Sequence, residues 1–131
     1  MSITYRVHNG GFITTANTPI IIEEGTLTIP AGTLTDLASI PRILWWIPGF
    51  ACFELGIAGP LLHDAVYRGL VGRTPPIILT RRRADRVFHT LMRHDGVGCC
   101  RAWVAWCAVR CFGVLAWRRL PRREDALRRA R

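Results

Sequence analysis

The chain contains no lysine. All 18 of its basic residues are arginine, and against 9 acidic residues they give a formal charge of +9. Coding bias in a GC-rich genome produces such a replacement. So does a surface selected for phosphate or carboxylate, which a guanidinium grips with a planar fork that an ammonium lacks. Also missing are any C-x-x-C pair and any histidine spacing of the zinc-finger kind, which excludes a zinc-finger site. The five cysteines are an odd number, so at least one is unpaired in a monomer, and they are read as thiols of a reducing compartment. Cys107 and Cys111 stand four apart, as two ligands would on a helix, but buried small hydrophobes are the preferred reading. Long uninterrupted apolar runs are absent too. The longest candidate, 98–120, is broken by Arg101, Arg110, Arg118 and Arg119, so a buried or interfacial helix is predicted there rather than a membrane span. The opening Met-Ser-Ile-Thr-Tyr-Arg shows no secretory pattern.

What is present is a single domain's worth of core. Half of the 131 residues are hydrophobic and 21% are charged, which excludes global disorder. The charge is concentrated at the end. Between residues 118 and 131 seven arginines face only Glu124 and Asp125, so 119–131 reads as a basic tail behind a domain of residues 1–118. Such a tail suits nucleic acid, an anionic membrane surface or an acidic partner protein, or it is a solvated end.

The N-terminal third reads as short antiparallel strands. Residues 3–7 and 12–15 flank Asn9-Gly10-Gly11, and residues 20–22 and 27–29 flank Glu23-Glu24-Gly25. Residues 33–50 are extended or irregular, with Leu44-Trp45-Trp46-Ile47 as an apolar plug, preferably packed in the core and, if exposed, a partner or membrane anchor. Three helices follow: from about Pro60 to Gly69 or Gly72, from an N-cap at Thr80 to Asp95, and from about Arg101 to Trp117, with a loop at 73–76. In the second, Ala84, Val87, Phe88, Leu91 and Met92 form an apolar stripe. The expected class is α+β: a short antiparallel sheet, then about three packed helices.

Three polar islands interrupt this apolar background: Thr35-Asp36-Leu37-Ala38-Ser39-Ile40-Pro41, His63-Asp64-Ala65-Val66-Tyr67 and Arg81-Arg82-Arg83-Ala84-Asp85. Charged groups are costly to bury unless paired or coordinated, so islands that recur on core faces suggest one shared site. His63 and Tyr67 share the inner face of one helix, and Arg81 and Asp85 that of the next. Consecutive helices pack antiparallel, so His63 meets Asp85, which would fix its tautomer and leave a nitrogen free as a base. Asp36 and Asp64 remain as hard oxygen ligands for Ca²⁺ or Mg²⁺, or as partners for Arg81. The alternative is structural: the same groups lock a small fold, with Asp36 and Ser39 bonding nearby amides. His94 and Asp95, at the end of the second helix, are assigned a capping role there.

With these motifs assembled, the chain resembles a family of unknown function found mainly in phage and prophage genomes. The match rests on Ile29-Pro30-Ala31-Gly32, Thr35-Asp36-x-Ala38-Ser39-Ile40-Pro41-Arg42, His63-Asp64-x-x-Tyr67, Thr80-Arg81-x-x-Ala84-Asp85 and Ala108-Val109-Arg110-x-Phe112-Gly113 with Trp117. The resemblance implies a virion- or tail-associated component located in the particle or the host cytoplasm, with other phage structural proteins as partners. A second, local resemblance is to the helix pair of secreted phospholipase A2. It implies His63 as general base, Asp85 orienting it, Tyr67 in support and Asp64 on Ca²⁺. The chain departs from that family in lacking the Gly-rich calcium loop and the disulfide frame.

Overall fold

A computed structural model describes residues 3–8, 11–35, 46, 55–69, 72–74 and 80–118. It is an α+β arrangement in which, among the described residues, six short strands accompany three helices. Strand β1 (Tyr5–His8) pairs antiparallel with β2 (Gly11–Thr14), Tyr5 opposite Thr14. Strand β3 (Thr18–Ile22) pairs with β4 (Gly25–Ile29), Thr18 opposite Ile29. The second hairpin closes at the predicted turn, Ile22 opposite Gly25, whereas residues 9 and 10 of the first predicted turn lie outside the described residues. In β3 the alternation is clean: Thr18 and Ile20 are buried while Pro19 and Ile21 face out, as in a sheet covered on one side.

Two further strands change the expected single sheet into two. Strand β5 (Leu34–Thr35) adds to β2, giving the order β1-β2-β5. Strand β6 (Gly72–Thr74) adds to β4, giving β3-β4-β6. Residues 73 and 74 therefore belong to a strand and not to the expected loop. Two or three residues carry no periodic signal of their own. They become strands because β2 and β4 each leave a row of backbone donors and acceptors that must be paired.

Helix α1 (Ala58–Tyr67) is buried along its whole length, and packs against β5 and against α2 (Arg81–His94). Its N-cap residue, Ile57, has no side-chain acceptor to offer. Asp95 supplies one instead: its Oδ2 accepts from the Ile57 and Ala58 amides at 3.0 Å each. Asp95 thus caps two helices: its side chain caps the start of α1, and its backbone amide, donating to the Leu91 carbonyl, closes the end of α2 as expected. Gly56, at φ +78°, makes room, since a Cβ there would lie 2.6 Å from that carboxylate oxygen. Helix α2 begins where predicted, with the Thr80 hydroxyl accepting from the Arg83 amide. Its Arg83 guanidinium donates to Glu24 and Glu23, tying the helix start to the β3–β4 turn.

Helix α3 (Cys99–Arg118) packs on α2 and buries Ala102, Ala105, Val109 and Gly113. Its far side carries Trp103, Phe112 and Leu115 exposed. Cys111 lies exposed on that far side and Cys107 is half-buried, which corrects their expected place in the core. The i,i+4 spacing put them on one face, and it is the face turned away from α2. Trp46 is 88% exposed, so this member of the predicted apolar plug is not core; its neighbours, Cys52 and the tail 119–131 lie outside the described residues. No helix among the described residues is long and apolar enough to cross a membrane.

Candidate functional site

Asp85 sits one turn into α2 and is 0% exposed, its carboxylate facing the seam where all three helices meet. Burying a carboxylate is tolerable only if its lone pairs are filled. They are filled from three directions. From α1, the Tyr67 hydroxyl donates to Oδ1 at 2.6 Å, and His63 Nε2 lies 3.3 Å from the same oxygen. From α3, Arg110 Nη1 donates to Oδ2 at 2.8 Å. From α2 itself, Arg81 stands one turn earlier with Nε 3.8 Å from Oδ2.

Arg81 extends the network. Its Nε donates to the Tyr67 oxygen at 3.1 Å, so a relay runs from Arg81 through Tyr67 to Asp85. Its Nη2 reaches the carbonyls of Val109 (3.0 Å) and Arg110 on α3. The rings are packed as well as bonded. Tyr67 stacks on His63 with centroids 4.0 Å apart, Phe88 tilts against His63, and Trp117 meets Tyr67 edge-on. Gly113 is the contact that lets α3 approach: a Cβ there would fall 3.0 Å from the Tyr67 hydroxyl oxygen.

His63 is 1% exposed and lies between two carboxylates. Its Nδ1 is 3.7 Å from Asp64 Oδ1 and makes no hydrogen bond, while Nε2 faces Asp85. Burial pushes the ring towards neutrality, but Asp64 and Asp85 together outweigh it and raise its pKa above the ordinary value. For Asp85, burial raises the pKa, but His63, Tyr67 and Arg110 prevail and hold it below the carboxylate norm. Burial first, then the bond to Asp85, pushes the Tyr67 phenol well above its usual range.

The sequence-derived set therefore comes together in part. His63, Tyr67, Arg81 and Asp85 converge as the helix spacings predict, and Asp64 flanks them. Thr35 is buried on β5, which packs on α1. Asp36 and Ser39 lie outside the described residues. As for the expected Ca²⁺, the ion takes six to eight oxygens. Among the described residues no three His, Cys, Asp or Glu side chains are grouped to hold a metal ion, so the described donors do not fit it.

Two members were missed as site residues, Arg110 and Gly113. Each had a signal. An arginine on the inner side of an otherwise apolar helix needs a buried anion. A glycine inside a helix costs about 1 kcal/mol relative to alanine, which calls for a close neighbour.

This arrangement covers most of a conserved-domain match. The family described as "Protein of unknown function (DUF1353)" matches residues 15–109. The chain belongs to this family. Within the DUF1353 span lie the β3–β4 hairpin, β5, α1, β6, α2 and the first half of α3, while the β1–β2 hairpin precedes it, so His63, Asp64, Tyr67, Arg81 and Asp85 are inside it and Arg110 and Gly113 just beyond. No curated protein and no solved structure matches the chain.

The charge states predict a pH profile. The stability that His63 contributes is fully present below its ordinary pKa of 6.5 and is lost as pH rises through its raised folded value. That of Asp85 is present above 3.8 and is lost as pH falls through its lowered folded value. Denaturant unfolding should show greatest stability between these limits. The alkaline fall, at most about 1.4 kcal/mol per pH unit, should vanish in His63→Gln. An alkaline limb that persists in that variant would assign the titration to another group.

Proposed function

We propose that the chain works by binding rather than catalysis, as a virion- or tail-associated structural or assembly component of a phage or prophage. In this reading the Asp85 cluster is an ionic lock for three helices. The observation that carries it is the direction of the donors: His63 and Tyr67 from α1, Arg81 from α2 and Arg110 from α3 all converge on one carboxylate with 0% exposure. A general base needs a free lone pair and a path for substrate. His63 has carboxylates on both sides that favour the doubly protonated ring, which holds no basic nitrogen. The phage setting rests on the motif resemblance, and the Arg-rich end supplies the contact to an acidic partner in the particle.

The competing reading is a phospholipase-A2-like hydrolase with His63 as base, and one comparison separates the two. Wild type and His63→Gln are incubated with mixed phosphatidylcholine–phosphatidylglycerol vesicles and Ca²⁺, and both are melted. The binding reading expects no fatty acid release from either, and a lower melting temperature for the variant. Wild-type turnover that the variant loses while keeping its melting temperature would overturn it. Removal of residues 120–131 should weaken incorporation into particles in a salt-sensitive way, the difference from the full chain shrinking at high salt.

A further inference from the structure

The positive charge on the described surface is unevenly compensated. Every described carboxylate is engaged within the fold: Glu23 and Glu24 by Arg83, Asp64 beside His63, Asp85 in the helix seam, and Asp95 on the α1 amides. Arg82 and Arg86 are exposed and have no ion-pair or hydrogen-bond partner for their guanidinium groups among the described residues. They are not scattered. Arg82, Arg86, His89 and Arg93 recur at steps of four, three and four along α2. At 3.6 residues per turn the three arginines fall within an arc of about 40°, in a line about 16 Å long. Arg93 anchors the end of this line, donating from Nη1 to the Val97 carbonyl. The one acid of α2, Asp85, points the other way.

We propose that this outer face of α2 binds the phosphate backbone of double-stranded nucleic acid, without reading sequence. The guanidinium fork matches phosphate oxygens, and the chain uses arginine alone. A membrane-surface helix places large apolar side chains beside its basic face to enter the acyl boundary. Here Ala84, Val87, Phe88 and Met92 are buried and Leu91 is half-buried against the core, so no large apolar side chain of α2 is free to insert. An acidic polypeptide offers carboxylates to the same forks, but duplex DNA presents one charge per about 1.7 Å of axis. A 16 Å line of cations then faces roughly nine phosphates, a density that suits a long convex row of arginines better than a single small anion. The inference goes beyond the ionic lock and holds whether or not that lock catalyses anything.

The test uses the full chain and a labelled random-sequence 30-base-pair duplex, with binding followed by fluorescence anisotropy at several NaCl concentrations. Each phosphate contact adds about 0.9 to the slope of log affinity against log salt. The double variant Arg82→Gln/Arg86→Gln should bind more weakly at low salt, with a slope shallower by about 1.8 and an unchanged melting temperature, since both side chains are exposed. An unchanged slope would overturn the proposal and assign duplex binding to the basic tail. Displacement of the duplex by poly-glutamate as effectively as by unlabelled duplex would overturn it in favour of an acidic protein partner. Binding to phosphatidylglycerol vesicles without binding to duplex would overturn it in favour of a membrane.

Discussion

Asp85→Asn should lower the unfolding free energy by about 3–5 kcal/mol, the range seen when one partner of a buried ion pair is removed. For a domain of this size that is roughly 10–15 °C in melting temperature, read by circular dichroism. Asparagine keeps the shape and can still accept from Tyr67. What it removes is the negative charge that His63, Arg81 and Arg110 face across 3.3, 3.8 and 2.8 Å. Three cationic groups would then share a seam where Asp64 is the one counter-ion among the described residues. Replacing His63 in the Asp85→Asn background should cost less than in wild type, because the two residues belong to one network. A loss below 1 kcal/mol for Asp85→Asn would mean that the cluster is not what holds the helices together.

The second large effect is expected from a residue with no side chain. Gly113→Leu should cost about 3 kcal/mol or more. A Cβ at that position would already press on Tyr67, 3.0 Å from its oxygen and 3.1 Å from a ring carbon. Overpacking of this kind typically costs 1–3 kcal/mol. Leucine would also push α3 away from Arg81, breaking its bonds to the Val109 and Arg110 carbonyls. Gly113→Ala should be milder in the same direction. Denaturant midpoints of the two variants test the order, and a leucine variant as stable as wild type would show that α3 does not depend on this contact.

How much of this was legible in the sequence follows from the range of each signal. Helix α2 was readable in detail because Thr80, the apolar stripe and Gly96 are all local. The meeting of His63, Tyr67, Arg81 and Asp85 was readable because one-turn spacing on two consecutive helices fixes which sides face each other. Strands β5 and β6 were not, since their existence depends on β2 and β4 rather than on their own residues. Arg110 carried a signal that it needs a buried anion, but not which one, because nothing in a sequence reports the angle at which α3 crosses α2. Cys107 and Cys111 show the converse failure: their period was read correctly, but which side of the helix meets the core is decided by the partner.

The carboxylate of Asp95 sits 38 and 37 positions after the two amides it serves, Ile57 and Ala58. During synthesis the chain emerges from its N-terminus at about 5–20 residues per second, so residues 58–67 are outside the ribosome for a couple of seconds or more before that acceptor appears. A ten-residue helix without a cap is marginal in water. The central helix of this protein is thus completed from behind, and a ribosome stalled before Asp95 has left its exit tunnel would display it unfinished, with its apolar surface open to chaperones.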